Sequence, residues 1–401
     1  LKQITHWGEV ESQGADTGTD KFDVYIDYVN NASSLHLLGF PKTVTLTDFN
    51  GVDIRKTFLS YDGLANGTAP VKGLLTKEER WAGGAPAVNP VTTYAYNGFG
   101  LPVTTTDPLN HTTTIVYDGQ YGIFPVTVTN HLGHTNKTEY YGVAGVTGNS
   151  NLNGLWSQVK SQEDPNIVKT FFGYDVFGRS IKTVSALDSE SLPTTQISYN
   201  DFSTFRRVTS KQRIQHGQSP TLDAYSYSDG LGRALFSRTP SATAGQYSIS
   251  GQQTYDFQAR PLQSYLPYFS TAALNTLESI DTNRPHTTFV YDALGRMTQR
   301  IDGDNKIADF AYDRWTTAVI DENGHKRETE ADAFGRLANV KEYTGADGRH
   351  PLYVNTGYTP YTTTTYAYDP EGNLTGVTDQ GGNTTAIVYN NLGQKISMAD
   401  P

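Results

Sequence analysis

The sequence predicts an all-β protein, an antiparallel meander of hairpins wound into a spiral or hollow shell segment, with one short helix. Three observations carry that expectation. A phrase of the form Tyr-Asp-x-x-Gly-Arg recurs along the chain, and a second turn signal falls between its copies. The 26 Tyr and 38 Gly among 401 residues also favour pleated strands joined by tight turns.

The phrase recurs with small variations from end to end. It reads YNGFGL at Tyr96 and Gly100, YDVFGR at Tyr174, Asp175, Gly178 and Arg179, and YDFQAR at Tyr255, Asp256 and Arg260. It returns as YDALGR at Tyr291, Asp292, Gly295 and Arg296, YDPEGN at Tyr368, Asp369 and Gly372, and YNNLGQ at Tyr389 and Gly393. Two copies lack the Tyr: SDGLGR, with Gly232 and Arg233, and ADAFGR, with Asp332, Gly335 and Arg336. Tyr96 to Tyr117, Tyr291 to Tyr312 and Tyr368 to Tyr389 are each 21 residues apart. The intervening turns read TDPLNH from Thr106, IDGDNK from Ile301, IDENGH from Ile320 and TDQGGN from Thr378. Each tile therefore holds two strands of about six or seven residues and two turns.

The phrase has a mechanical reading. Asp or Asn suits the first position of a type I turn, and a Gly three residues later takes the left-handed conformation of a bulge, so the pattern closes a hairpin. Asp292 and Arg296 flank such a turn and are placed to pair across it. Tyr291 points to the other face, where it is expected to pack against its equivalents in neighbouring tiles. At this period the chain supplies on the order of 30 strands, a flat sheet of about 140 Å. Twisted sheets rarely exceed about ten strands without curling, splitting or closing, so a wound sheet follows.

Residues 1–90 are less regular but read as continuous with the repeats, which occupy 91–401 with insertions near 141–166, 262–286 and 343–362. The loop at 82–90 reads as a long edge excursion. In the second insertion Ser270 is expected to cap the short helix, with Leu274 and Leu277 on one side and Glu278 near its end.

Chemistry finds little foothold. The net charge of −10 argues against a generic grip on nucleic acid or anionic lipid. The absence of Cys removes disulfides, thiolate metal sites and a thiol nucleophile. No apolar stretch is long enough to span a membrane, and no phosphate loop or nucleophile elbow occurs. His111, His134 and His325 occupy repeated turn positions, which favours a structural role over metal binding. The turn at Asp302 lacks calcium-loop spacing. Neither cofactor nor metal is expected, and no catalytic residue is assigned. A carboxylate pair of the glycosidase kind would require two acids converging in a cleft. The sequons at Asn31, Asn66, Asn110, Asn136, Asn373 and Asn383 mostly follow from turn Asn preceding strand Thr.

The recurring phrase resembles the RHS or YD repeat. SYLPYF from Ser264, SDGLGR from Ser228 and the run from Asn89 through YNGFG, TDPLNHTT and FPVTVTNHLGHT resemble the B component of bacterial Tc-type toxin complexes. The resemblance implies a secreted or surface-delivered β-sheet cocoon without enzymatic activity of its own. It implies as partners other shell segments, a cytotoxic C-terminal effector enclosed within, and a translocation channel reached through regions outside this chain. That family's docking propeller and self-cleaving cap have no recognisable counterpart in these residues, so no autoproteolytic role is carried over. The alternative reading is a secreted or surface adhesin that binds carbohydrate through rows of Tyr.

Overall fold

The computed structural model describes residues 2–6, 21–32, 35–83, 88–143, 155–202, 204–345 and 357–401. Among the described residues there are thirty-one β-strands and no α-helix. The strands form two large sheets of 19 and 12 strands, built mostly from hairpins of chain neighbours paired antiparallel; the order breaks where Tyr247–Ser250 pairs with Tyr268–Ser270 and Pro261–Tyr265 with His286–Tyr291. The chain divides into two compact units, one of Leu1–Thr114 with Asp309–Pro401, the other of Ile115–Ala308.

The hairpin closes as elementary turn chemistry dictates. His286–Tyr291 pairs with Met297–Ile301, and the register shifts between Val290 and Tyr291. There the Gly295 N–H donates to the Asp292 carbonyl at 3.0 Å and the Asp292 N–H to the Arg296 carbonyl at 2.9 Å. Gly295 sits at φ 84°. This is a type I turn followed by a bulge, and only a residue without Cβ takes that last position without strain.

Four turns place a residue other than Gly there. Asn110 and Asn305, at φ 63° and 64°, are of the type that visits this region readily, whereas in YDFQAR the position is held by Ala259, at φ 64°, and in the turn beginning at Asp164 by Ile167, at φ 65°. A left-handed conformation costs an L-residue roughly 1–2 kcal/mol, and a β-branched one suffers most. Ile167 is 78% exposed, so little packing offsets that cost. Ile167→Gly is therefore expected to raise the unfolding free energy by about 1–2 kcal/mol and Ala259→Gly by about 1 kcal/mol, read from urea midpoints. An unchanged or lowered midpoint for Ile167→Gly would contradict the strain assignment.

Most strand residues are half-buried, and among the described residues no layer of helices covers the sheet faces.

In the unit Ile115–Ala308 the principal core is Phe205, Tyr225, Tyr227, Phe236 and Ile249, with Leu274 and Tyr268 packed against it. Leu274 belongs to the segment that follows the strand Tyr268–Ser270, where a short helix was expected and is not formed. Ser270 does begin a cap, its hydroxyl accepting from the Ala272 N–H at 3.1 Å, but the same hydroxyl donates to Glu278 at 3.0 Å. The carbonyls a helix would bond along its own axis are taken by other side chains. Arg238 donates to Ala272 and Ala273 at 3.3 and 2.8 Å and to Thr276 at 3.0 Å, and Tyr227 donates to Leu274 at 2.8 Å. The segment is thus held as a loop over the core.

In the other unit, buried hydrophobic residues include Leu46, Tyr61, Ala318, Ile320, Val340 and Tyr358. Part of the expected 343–362 insertion is regular strand, because Leu337–Gly345 and Tyr358–Tyr368 pair across Tyr343 and Pro360. Its centre, 346–356, lies outside the described residues, as do 84–87 of the 82–90 loop and 144–154 of the first insertion.

Candidate functional site

The recurring motif forms a ladder. In each Asp-x-x-Gly-Arg turn one carboxylate oxygen accepts two backbone N–H groups and the other accepts the guanidinium Nε. Asp292 accepts from Leu294 and Arg296, both at 2.9 Å, and from Arg296 Nε at 2.7 Å. The pairs Asp175–Arg179, Asp229–Arg233, Asp256–Arg260 and Asp332–Arg336 have the same geometry, with Nε–Oδ2 distances of 2.7, 2.6, 2.7 and 2.6 Å.

Held this way, four of these Arg sit over the Tyr of the following tile. Arg179 sits 4.1 Å from the Tyr199 ring centroid, Arg233 4.7 Å from Tyr255, Arg260 4.4 Å from Tyr291 and Arg336 4.7 Å from Tyr368. Each of those Tyr hydroxyls then donates to the carbonyl just after that Arg. Tyr199 reaches Ser180 at 3.0 Å, Tyr255 reaches Ala234 at 2.5 Å, Tyr291 reaches Pro261 at 2.9 Å and Tyr368 reaches Leu337 at 2.9 Å. Tyr255, Tyr291 and Tyr368 therefore pack against the preceding tile's Arg, where packing against their own equivalents was expected. A Tyr–Tyr contact does occur between Tyr141 and Tyr174, at 6.4 Å.

Where Arg is absent, the fifth turn residue supplies another donor. Asn373 donates to Asp369 at 2.9 Å, and His111 and His325 lie 3.1 Å from Asp107 and Asp321. The turns at Asn97 and Asn390 make the backbone part through their amide oxygens, and Asn390 also donates to the Gln394 side chain at 3.0 Å; Gly100 at φ 78° and Gly393 at φ 74° follow Tyr96 and Tyr389. Tyr96 donates to the Leu75 carbonyl at 2.6 Å. Gly178, Gly232, Gly335 and Gly372 all lie at positive φ.

Two features eluded sequence reasoning. Tyr199 takes part in the ladder although its turn lacks the motif Gly. Arg238 is fully buried, 2.6 Å from Glu278, with its guanidinium 5.0 Å from the Tyr227 ring. A signal for the second existed: Arg238 lies two residues after Phe236 on one strand, hence on the same face, and a cation on a core face demands a partner.

The turn carboxylates make folding pH-dependent. Desolvation pushes Asp256 upward, but hydrogen bonds from the Arg260 N–H and guanidinium outweigh it, and the carboxyl ends below its ordinary value. Asp175, Asp229 and Asp292 are lowered by the same balance. Asp188, whose side chain is wholly buried, is brought down to about 2, first by the Thr194 hydroxyl and then by Gly217 N–H and His216 against the opposing desolvation. Groups with depressed folded pKa contribute stability that is present above the unfolded value near 3.9 and is lost as pH falls through the folded one. The urea midpoint is expected to hold from pH 7 to about 5 and to fall steadily between about pH 4 and pH 2. A midpoint unchanged down to pH 2 would contradict these carboxylate contacts.

Among the described residues no group of three or more His, Asp or Glu is placed to hold a metal ion, and no helix is long and apolar enough to cross a membrane. The geometry thus defines a class: a repeat protein of antiparallel hairpins, in two large sheets, in which Asp–Arg–Tyr steps tie successive tiles at Tyr199, Tyr255, Tyr291 and Tyr368. A family model of the RHS repeat matches residues 362–401. The fold is that of the Tc toxin assembly TcdB2-TccC3: its crystal structure superposes with a TM-score of 0.71 at 13% identity over 95% of this chain. The form without the hypervariable C-terminal region gives 0.73 at 12% over 95%, and a Tc holotoxin pore of Photorhabdus luminescens carrying a mutated TccC3 gives 0.68 at 11% over 95%. The chain spans about a quarter of the length of those solved chains, covering 25%, 27% and 28% of them. Comparison with curated proteins finds no match.

Proposed function

We propose that this chain is a structural wall segment of an RHS-repeat shell that encloses a cytotoxic C-terminal effector for delivery by a secreted Tc-type toxin complex. The supporting observation is the fold likeness along nearly the whole chain to a quarter of TcdB2-TccC3, borne by a ladder whose polar groups serve to join hairpins. A wall needs backbone groups satisfied within the sheet and no reactive centre, because the enclosed polypeptide must be kept apart from solvent without being modified. What supports this role is that the ladder's Asp, Arg and Tyr are engaged with one another and with backbone.

Limited proteolysis of the complete open reading frame that encodes this chain tests the reading. The C-terminal effector segment is expected to resist digestion until the repeat region is itself unfolded by urea. Digestion of that segment at the rate of an exposed tail, with the repeat region intact, would overturn enclosure.

A further inference from the structure

Among the described residues three turns headed by Asn hold that residue in the same way. The side-chain oxygens of Asn97, Asn130 and Asn390 each accept two backbone N–H groups of their own turn. The residue that follows is His131 in one, Asn391 in another and Gly98 in the third. An Asn followed by Gly carries a latent reaction, because the Gly nitrogen can close a five-membered ring on the Asn side-chain carbonyl carbon with no side chain of its own to crowd the approach.

Four such pairs fall among the described residues, Asn50–Gly51, Asn66–Gly67, Asn97–Gly98 and Asn323–Gly324, and a fifth, Asn153–Gly154, lies outside them. Exposure ranks Asn97 last, since it is half-buried and the other three are exposed. The hydrogen bonds reverse that order. The ring closes only when the Gly nitrogen gives up its proton, and the N–H groups of Gly51 and Gly324 are both engaged, at 2.9 Å from the Asp48 and Asp321 carbonyls. At Asn66 the side-chain amide is tied to two strands, its Nδ2 donating to the Lys42 carbonyl at 2.7 Å and the Leu59 carbonyl at 2.8 Å. Turning toward Gly67 would break both bonds. The Gly98 N–H has no acceptor among the described residues.

Asn97 Oδ1 accepts from Phe99 N–H at 2.9 Å and Leu101 N–H at 3.0 Å. Negative charge develops on that oxygen as the ring closes, and two fixed donors stabilise it as an oxyanion hole does. SDGLGR supplies a contrast. There Asp229 precedes Gly230 in the same turn, but Arg233 Nε at 2.6 Å holds the carboxyl in its ionised form, which resists attack.

We propose that Asn97 is a self-modification site, which the folded turn converts to aspartate and isoaspartate ahead of the other described Asn–Gly pairs. Gly98 N passes its proton to hydroxide and bonds to Asn97 Cγ. The tetrahedral centre collapses, the Cγ–Nδ2 bond breaks, and Nδ2 leaves as ammonia with a proton from water. Water then opens the succinimide at either carbonyl, so that one amide and one water become one carboxyl and one ammonia. Opening at Cγ gives aspartate and turns the phrase into the motif's own Asp-x-x-Gly. Opening at the backbone carbonyl routes the chain through Cγ and unmakes the turn between Val91–Tyr96 and Pro102–Thr106. The ring forms between adjacent residues, so the site needs no second copy and no enclosed effector.

Peptide mapping of the full chain aged at about pH 8.5, with isoaspartyl methyltransferase labelling, tests it. A gain of about 1 Da is expected at Asn97 at least about fivefold faster than at Asn50, Asn66 or Asn323. In concentrated urea the four rates are expected to converge to within about twofold, because the turn is gone. A methyl group added at Gly98 would meet no atom within 4 Å, and YDALGR carries Ala293 at the same place. Gly98→Ala is therefore expected to keep the circular dichroism spectrum and slow the reaction at Asn97 about tenfold. Asn50, Asn66 or Asn323 leading in the folded chain, rate ratios unchanged by urea, or an Asn97 rate unmoved by Gly98→Ala would overturn the proposal.

Discussion

Arg238→Ala is expected to lower the unfolding free energy of the unit Ile115–Ala308 by about 3–5 kcal/mol, the usual cost of removing one partner from a buried ion pair. The guanidinium is fully buried and Glu278 is 6% exposed, so the carboxylate left behind has little water to replace its partner. The same substitution removes the donor to the carbonyls of Ala272, Ala273 and Thr276. Glu278→Ala is expected to cost less, about 1–3 kcal/mol, because Arg238 keeps its three carbonyl acceptors. The fluorescence of Trp156, the tryptophan of this unit, reports the urea transition of each variant. Equal losses for the two variants would contradict the assignment of Arg238 as the anchor of the loop.

The second large effect lies in the ladder. Arg336 donates to Asp332 at 2.6 Å and to the Asp369 carbonyl at 3.1 Å while covering the Tyr368 ring. Arg336→Ala is expected to destabilise its unit by about 2–3 kcal/mol, the combined loss of a charge-assisted hydrogen bond and a stacked cation. Arg336→Lys is expected to recover less than half, because an ammonium cannot lie flat on the ring and serve two acceptors in the fork geometry. Trp315 lies in the same unit, its carbonyl accepting from Ala331 N–H at 3.0 Å, and its fluorescence follows the transition. Full recovery with Lys would reduce the role of Arg336 to bare charge.

Much of this architecture was legible from single residues. Asp292 and Gly295 announce their turn because type I geometry and left-handed φ are local demands, and Arg296 stands within reach of Asp292 in any such turn. The partner of Tyr291 was not legible. It is Arg260, 31 residues earlier, and only the strand register places one beside the other. The segment after Ser270 misled for a related reason: Ser270, Leu274 and Leu277 carry a helix signal, yet Arg238 claims the carbonyls from a strand far back in the chain. Local pattern settled each hairpin, whereas long-range polar contacts settled how hairpins join. Ala259 shows that the joint survives a poor turn residue, since Arg260 keeps its pairing with Asp256 at 2.7 Å in spite of the strained position before it.

A double-mutant cycle on Arg336→Ala and Tyr368→Ala, read from urea unfolding at pH 7, measures directly whether one tile is fastened to the next through this pair. A coupling energy of about 1–2 kcal/mol is predicted. Effects that add to within about 0.3 kcal/mol would contradict it.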